Sequence, residues 1–451
     1  MKGMNIMDEK IKITDLESFE KDYMKNPDFS LRQASVTNNG INASCIDKNL
    51  LREMKFTFNV DLDAGDVCNQ KRSGRCWMFA GLNVIRTILF KKLNVKNFEL
   101  SQAYLQFYDK LEKSNYFLEK AIELADEDSR SRNNVFILDS TLGDGGHFVM
   151  FSNLVKKYGV IPLEAMPDLA VSIDTGEMNS VLTNYLAQAM LDLRTAKKKG
   201  KSEKELRKIK QNYLNDIYRI LTISLGTPVK EFELEFKDKD NKYVNLGKLT
   251  PKEFYEKYIQ EDLDNYIPLC NAPLEGHEKY TKYTCNLVNN VIGGDKIVFF
   301  DVSLSELKKA CINSLKEGMP VWFSSDVSTQ SLRKEGILAD EILMRKELFG
   351  LDYHLDKKER LSYRASFCNH AMTFTGVNLV DKKPNRWKVE NSWGKENGNN
   401  GFFVMSDKWF DEYVYEIFVN RKFVAKSVLD KWDSAPIVET DPFDTLWMMM
   451  E

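Results

Sequence analysis

One cysteine in this chain stands where a thiol nucleophile would need to be. Cys76 follows Gly74 and Arg75 and opens an apolar helical stretch, so its sulfur would lie near a helix N-terminus. Partial positive charge there favours thiolate, the nucleophilic form. Gln70 lies six residues upstream in QKRSGRC, on a loop that would fold back and bring its amide to a developing oxyanion beside the sulfur. Taken alone, Cys76 reads first as a small buried residue capping a core helix, because free cysteines are among the most buried side chains.

A thiol nucleophile needs a base, and the histidines are His147, His277, His354 and His370. His370 opens the run HAMTFTGVNL, where period-two alternation puts it on the face of Met372 and Phe374. In the next run, RWKVEN, Asn391 shares the face of Trp387 and Val389. If DKKPN joins the two runs as a hairpin, the start of the first and the end of the second meet at one edge. His370 and Asn391 then become neighbours. The Asn391 oxygen would accept from one imidazole nitrogen, fix the ring and leave the other nitrogen for the thiol. A lone inward histidine is more often a hydrogen-bonded core residue, and Asn391 before Ser-Trp-Gly reads also as a turn residue. The chain order Gln70, Cys76, His370, Asn391 weighs against both bland readings together.

The elements that must hold these residues divide the chain by texture. The first 60 or so residues give no single clear element. Helical periodicity runs from Cys76 to about Leu93, a second helix starts behind Ser101 as N-cap, and residues near 149–158 and 180–224 also read as helix. From about Ile297 the texture turns to short β-like runs, KIVFFDVSL, PVWFSSDV, HAMTFTGVNLV, RWKVEN and GFFVMS, separated by turn-rich DKKPN and ENGNNG. Helices early and strands late predict an α+β protein whose halves frame a cleft. The last 20 or so residues, from about Lys431, read as an extended tail.

Composition narrows the class. The 451 residues are 43% hydrophobic and 29% charged, and 64 basic against 67 acidic side chains leave a net charge of −3. Dominant disorder is excluded, and no global field calls for nucleic acid. The seven cysteines form no C-x-x-C pair, and the scattered histidines form no metal-ligand spacing, so no disulfide framework, metal or cofactor is expected. The charged start MKGMNIMDEKIKITD does not resemble a secretory signal, and no run of 18 apolar residues occurs. The expectation is a cytoplasmic protein with no membrane partner.

The segments QKRSGRCWMFAGLNVIR, CNHAMTFTG and WKVENSWG resemble the three signature segments of papain-like cysteine peptidases. The resemblance is closer to the bleomycin hydrolase and aminopeptidase C family, and extends to ELSQAYLQFYDKLEKSNYFLE and LGDGGHFVMFSNLVKKYGVIP. It accounts for the 294 residues between Cys76 and His370, against about 130–150 in ordinary papain-like enzymes. The resemblance implies a papain-like fold, a helical half and an antiparallel β half framing the cleft, with a large helical insertion. It implies Cys76 as nucleophile, His370 as general base and acid, Asn391 as orienting residue, and Gln70 with the Cys76 backbone N–H as oxyanion donors. Trp393 would shield the His370–Asn391 bond from water. Substrate binding is implied for Gly145, Gly146, Asn369, Trp393 and Glu451. His147 stands where the family commonly has glutamine, which predicts an altered subsite.

The same resemblance divides the chain into an N-terminal segment packing on the peptidase core (1–65), the helical half with the nucleophile (66–165), an inserted mainly helical region for assembly (166–295), the β-rich half with His370 and Asn391 (296–428) and a C-terminal arm reaching toward the active site (429–451). In the family that arm occupies the cleft and its terminal carboxylate attracts the free amine of the substrate. The implied activity is a cysteine aminopeptidase of broad specificity acting on peptides through a thioester acyl-enzyme, assembled as a homohexamer. Two alternatives stand beside it: an endopeptidase with an open cleft, because the end LWMMME departs from the family's small-residue finish, and a nucleic-acid-binding oligomer retaining the fold. The run RTAKKKGKSEKELRKIK, with nine basic and two acidic residues, motivates the latter. No aromatics interleave its lysines as a single-strand binder would want, and a solvated helix is the plainer reading.

Overall fold

A computed structural model of the chain describes residues 10–140 and 142–450, with the side chains of residues 449 and 450 excepted. Two helices, α1 (Ile13–Met24) and α2 (Asp28–Asn39), precede the core, where the sequence reading assigned no clear element; neither buries a residue. The next long helix, α3 (Cys76–Lys92), is buried nearly all round, as an apolar sequence without a polar face requires. It ends where Asn94 takes the left-handed backbone that a side chain of this type tolerates. Helix α4 (Gln102–Glu123) starts at Ser101, whose Oγ accepts from Tyr104 N–H at 3.1 Å, as its cap position predicted. Helix α5 (Phe148–Tyr158) lies against α3 at Gly81, where a Cβ would sit 2.6 Å from the Phe151 ring.

The stretch 180–224, read as helical, is two helices. α6 (Gly176–Lys198) and α7 (Glu203–Leu225) are separated at Gly200, and α7 opens on a capping box of Ser202 and Glu205. Leu182, Leu186, Leu193, Leu206, Ile217 and Leu221 join Phe117 and Ala121 of α4 in a separate apolar cluster. The basic run around the turn is extensively ion-paired: Lys210 lies 2.5 Å from Glu119, Arg207 3.3 Å from the same carboxylate and Lys197 3.3 Å from Asp126.

The β half is built on one main sheet, while Phe299–Phe300 pairs with Lys282–Tyr283 in a small separate sheet. Strands β1 (Tyr266–Cys270), β2 (Val321–Ser325), β3 (His370–Val380), β4 (Lys383–Glu390), β5 (Phe402–Ser406) and β6 (Val414–Asn420) lie in the order β1-β6-β2-β3-β4-β5. β1 falls within the stretch read as inserted, yet pairs with β6 of the main sheet. KIVFFDVSL, read as a strand, contributes only Phe299–Phe300. Ser303 and Glu306 then form a capping box and start helix α8 (Leu304–Lys316). Between β3 and β4 the turn is Asp381–Lys382, both with positive φ (49° and 65°), and the Lys-Pro-Asn of DKKPN belongs to β4. Positive φ at both central residues suits a two-residue hairpin, whose twist matches the flanking strands.

One face of the sheet carries α3 and the cluster of Trp77, Phe148, Phe151 and Trp322. Another cluster gathers α8 with Phe374, Trp387, Trp409 and Phe410. The tail is less extended than expected: helix α9 (Lys426–Ser434) comes first, then β7 (Ile437–Glu439) pairs in parallel with Lys282–Thr284. Arg132–Asp441 (2.7 Å) and His277–Asp444 (2.9 Å) pin the chain beyond β7, and Leu446 and Trp447 are buried in the cluster that also holds Cys368 and Ala371. Among the described residues no helix is long and apolar enough to cross a membrane, and no group of side chains could hold a metal ion.

Candidate active site

The loop before α3 is folded on itself by polar side chains. Gln70 Nε2 donates to Ser73 O (2.6 Å), Ser73 Oγ donates back to Gln70 O (2.6 Å), and Gln70 Oε1 accepts from Ser392 Oγ (2.5 Å). Gln70 N–H also donates to Ser392 O at 2.8 Å, which fastens this loop to the residue after Asn391. Arg75, fully buried, pairs with Asp168 at 2.9 Å and donates to Ser73 Oγ at 2.8 Å. The chain reaching Cys76 is therefore held on both sides before the helix begins.

Cys76 meets the first residues of β3. Ala371 N–H donates to its Sγ at 3.5 Å, so the sulfur sits one residue beyond His370 on the strand. His370 Nε2 lies 2.8 Å from Asn391 Oδ1. That oxygen also accepts from Ser392 N–H at 2.8 Å and can only accept, so Nε2 carries the proton and Nδ1 keeps its lone pair. The Trp393 ring stacks on His370 with centroids 4.5 Å apart and planes 24° from parallel. Helix α3 is locked to β4 by the buried Arg86–Glu390 pair (2.5 Å), and Glu390 directly precedes Asn391.

Burial opposes charge on both Cys76 and His370. It pushes the Cys76 thiol up, against the backbone N–H groups of Ala371, Trp77 and Cys76 itself, which pull it down. Burial likewise pushes His370 down to about 4, opposed by its bond to Asn391.

The glycine loop lies alongside. Gly146 packs under Trp77, where a Cβ would stand 2.4 Å from the indole, so no larger residue fits. Lys113 Nζ donates to Gly145 O at 2.6 Å. Asn369 faces Asp326: its Nδ2 donates to that carboxylate at 2.6 Å and its Oδ1 accepts from Val327 N–H at 3.0 Å, which shapes the turn into His370. Glu451 lies outside the described residues. His147 corrects the expectation of an altered subsite. It is buried, its Nδ1 accepts from Val149 N–H at the start of α5, and its Nε2 lies 2.8 Å from Glu416 amid Phe299, Trp322 and Phe418. Its partners are a core carboxylate and core rings, because the ring caps the helix that follows it.

A family model described as the Peptidase C1-like family matches residues 10–447. The chain belongs to that family. Aminopeptidase C of Listeria innocua serovar 6a is 40% identical, covering 98% of this chain and 99% of that relative, and Aminopeptidase C of Lactobacillus delbrueckii subsp. lactis is 38% identical, covering 98% of each. The crystal structure of PepW from Lactobacillus rhamnosis HN001 matches with a TM-score of 0.94 at 39% identity, over 98% of this chain and 99% of that one. The protein is a cysteine-type aminopeptidase, a hydrolase with the α+β papain-like fold.

Within this peptidase, sequence reasoning passed over the supports of the site. Arg75–Asp168, Arg86–Glu390 and the Lys110–Asp144 pair (2.7 Å) are ion pairs between residues far apart in sequence. A signal existed: Lys110 and Lys113 lie on the same stripe of α4 as Phe107 and Phe117, and a lysine on an apolar stripe asks for a buried partner.

All seven cysteines are free, and six are buried while Cys76 is partly accessible. Iodoacetamide at neutral pH should therefore modify Cys76 first, in a ratio of about 10 to 1 or more over any other thiol, since reaction requires both access and a route to thiolate. Peptide mapping after brief labelling reads the ratio; preferential modification of Cys68 or Cys368 would count against the pairing of Cys76 with His370.

Proposed function

We propose that this cysteine aminopeptidase releases N-terminal residues from peptides with broad side-chain tolerance, through Cys76, His370 and Asn391 and a thioester acyl-enzyme. The observation that carries the reading is the junction of Cys76 Sγ with the first residues of β3, beside an imidazole whose Nε2 is fixed by Asn391 at 2.8 Å. His370 Nδ1 takes the thiol proton as sulfur attacks the carbonyl carbon of the scissile bond. Charge then develops on the carbonyl oxygen, which the Cys76 backbone N–H and the second N–H of the Gln70 amide stabilise. His370 returns the proton to the leaving amine, leaving a thioester. Water, deprotonated by His370, attacks that thioester and frees the new acid and the thiol.

Gly145 and Gly146 bind the substrate backbone in this reading, with Asn369 and Trp393 at the edge of the cleft and Glu451 supplying the carboxylate that attracts the free amine. The five-part division of the chain assigns 1–65 and 166–295 to packing and assembly, around a peptidase made of 66–165 and 296–428. A homo-oligomer, a hexamer on the family resemblance, is supported by the exposed apolar side chains of α1 and α2, among them Ile13, Phe19 and Leu31. A cytoplasmic location is supported by seven cysteines that are all free. Aminoacyl-fluorophore substrates should be hydrolysed at least about tenfold faster than N-blocked copies, the scale of one charge-assisted contact. Equal rates on both would replace the aminopeptidase reading with an endopeptidase of open cleft.

A further inference from the structure

The strongest unassigned cluster of charge outside the triad surrounds Asp144, in the loop that carries Gly145 and Gly146. Its Oδ2 accepts from Gly74 N–H at 3.1 Å and from the Thr175 hydroxyl, and its Oδ1 accepts from Asn179 Nδ2 at 2.8 Å and from Lys110 Nζ at 2.7 Å. Its backbone oxygen accepts from Trp77 Nε1 at 2.8 Å. Gly74 lies two residues before Cys76 and Trp77 one residue after, so one residue grips the chain on both sides of the sulfur. Gly74 also has no room for a larger residue: a Cβ there would stand 2.8 Å from Asp144 Cβ.

Two buried lysines hold the other side of this residue. Lys110 Nζ donates to Leu142 O at 3.0 Å and Gly143 O at 3.2 Å, while Lys113 Nζ donates to Gly143 O at 3.1 Å and Gly145 O at 2.6 Å and pairs with Asp109 at 3.0 Å. Ammonium groups pointed at successive carbonyl oxygens fix the peptide planes of the loop, and with them the direction of its remaining N–H and C=O groups toward the cleft. We infer that Asp144 is a positioning residue for peptide hydrolysis, its single carboxylate and carbonyl keeping the chain around Cys76 and the glycine loop in one register. The inference rests on the reading of Cys76 as nucleophile and of the glycine loop as the substrate rail. The carboxylate is well suited to the role, because Lys110 holds it well below the usual carboxylate range in spite of its burial. Asparagine offers one acceptor oxygen and no charge, so it cannot serve Gly74, Lys110 and Thr175 together.

The test compares Asp144→Asn and Asn179→Ala with the wild-type protein on one unblocked aminoacyl-fluorophore substrate. Asp144→Asn should lower kcat by about tenfold or more with KM within about threefold, since a misplacement of the nucleophile by a fraction of an ångström acts on the chemical step. Asn179→Ala removes one bond that orients the carboxylate without disturbing the loop itself, and should lower kcat about two- to fivefold in the same sense. Thermal melting and stoichiometric iodoacetamide labelling of Cys76 establish that each variant is folded with a complete site. Folded variants with wild-type kcat, or losses confined to KM, overturn the inference. If Asp144→Asn does not fold, Asn179→Ala decides alone: unchanged kcat overturns it. Activity surviving in Cys76→Ala would instead remove the reading on which it rests; an inactive Cys76→Ala with normal turnover in both loop variants sinks the Asp144 role alone.

Discussion

Cys76→Ala should lose turnover by more than about 10³-fold while folding as the wild type does, because removing a nucleophile leaves only binding and oxyanion contacts to accelerate the reaction. The fold should survive for local reasons. Cys76 is the first residue of α3, alanine is the best helix former, and the side chain is partly exposed, so no large cavity opens. Stability should stay within about 1 kcal/mol of the wild type, the range of substitutions that leave packing and caps in place. The decisive measurement is kcat/KM on an unblocked aminoacyl substrate, paired with a thermal melt. A variant that melts normally and keeps more than a few per cent of the activity would mean that another group attacks the carbonyl. The alanine variant should also bind substrate, since nothing in the glycine loop or Asn391 has changed, and a KM-like binding constant can be measured on it by fluorescence.

The meeting of His370 and Asn391 was legible because each sits in a local pattern whose geometry is simple. Alternation along HAMTFTGVNL and RWKVEN assigns faces, and a short turn between them assigns the shared edge. Asp381 and Lys382, with positive φ, close that hairpin so that His370 and Asn391 meet across it. Ser101 was legible as a cap for the same reason: its partner, Tyr104 N–H, is three residues away. What was not legible depends on partners distant in sequence. Asp144 reaches Lys110, Gly74, Thr175 and Asn179 at once, and Arg86 reaches Glu390 across 304 residues. A run such as KIVFFDVSL has strand-like composition throughout, and only the Ser303–Glu306 capping box reveals that a helix takes over after Phe300. His147 was misjudged because it follows Gly145 and Gly146, for which the resemblance implied substrate binding, whereas its own ring caps α5 and meets Glu416 in the core.

Deleting Asp444–Glu451 should change which peptides are cut. The residues left behind stay anchored, since Arg132 pairs with Asp441 at 2.7 Å and its guanidinium lies 4.6 Å from the Phe443 ring centroid. Lost are the His277–Asp444 contact, the buried Leu446 and Trp447, and every residue beyond them up to the terminal carboxylate. If that carboxylate selects the free amine, unblocked substrates should lose about 1–3 kcal/mol of transition-state stabilisation, or roughly 5- to 150-fold in kcat/KM. N-blocked and internal peptide bonds, which the arm would otherwise exclude by bulk, should become cleavable in the same protein. Burial of Leu446 and Trp447 argues that the arm is docked at least that far, against its being a loose extension. The sharpest comparison sets free and blocked substrates side by side on both proteins. A truncated enzyme with an unchanged ratio of the two would mean that selection for the amine resides elsewhere in the cleft. A ratio that collapses while Cys76 still labels stoichiometrically would place it in the arm, because loss of the catalytic residues themselves would lower both rates together.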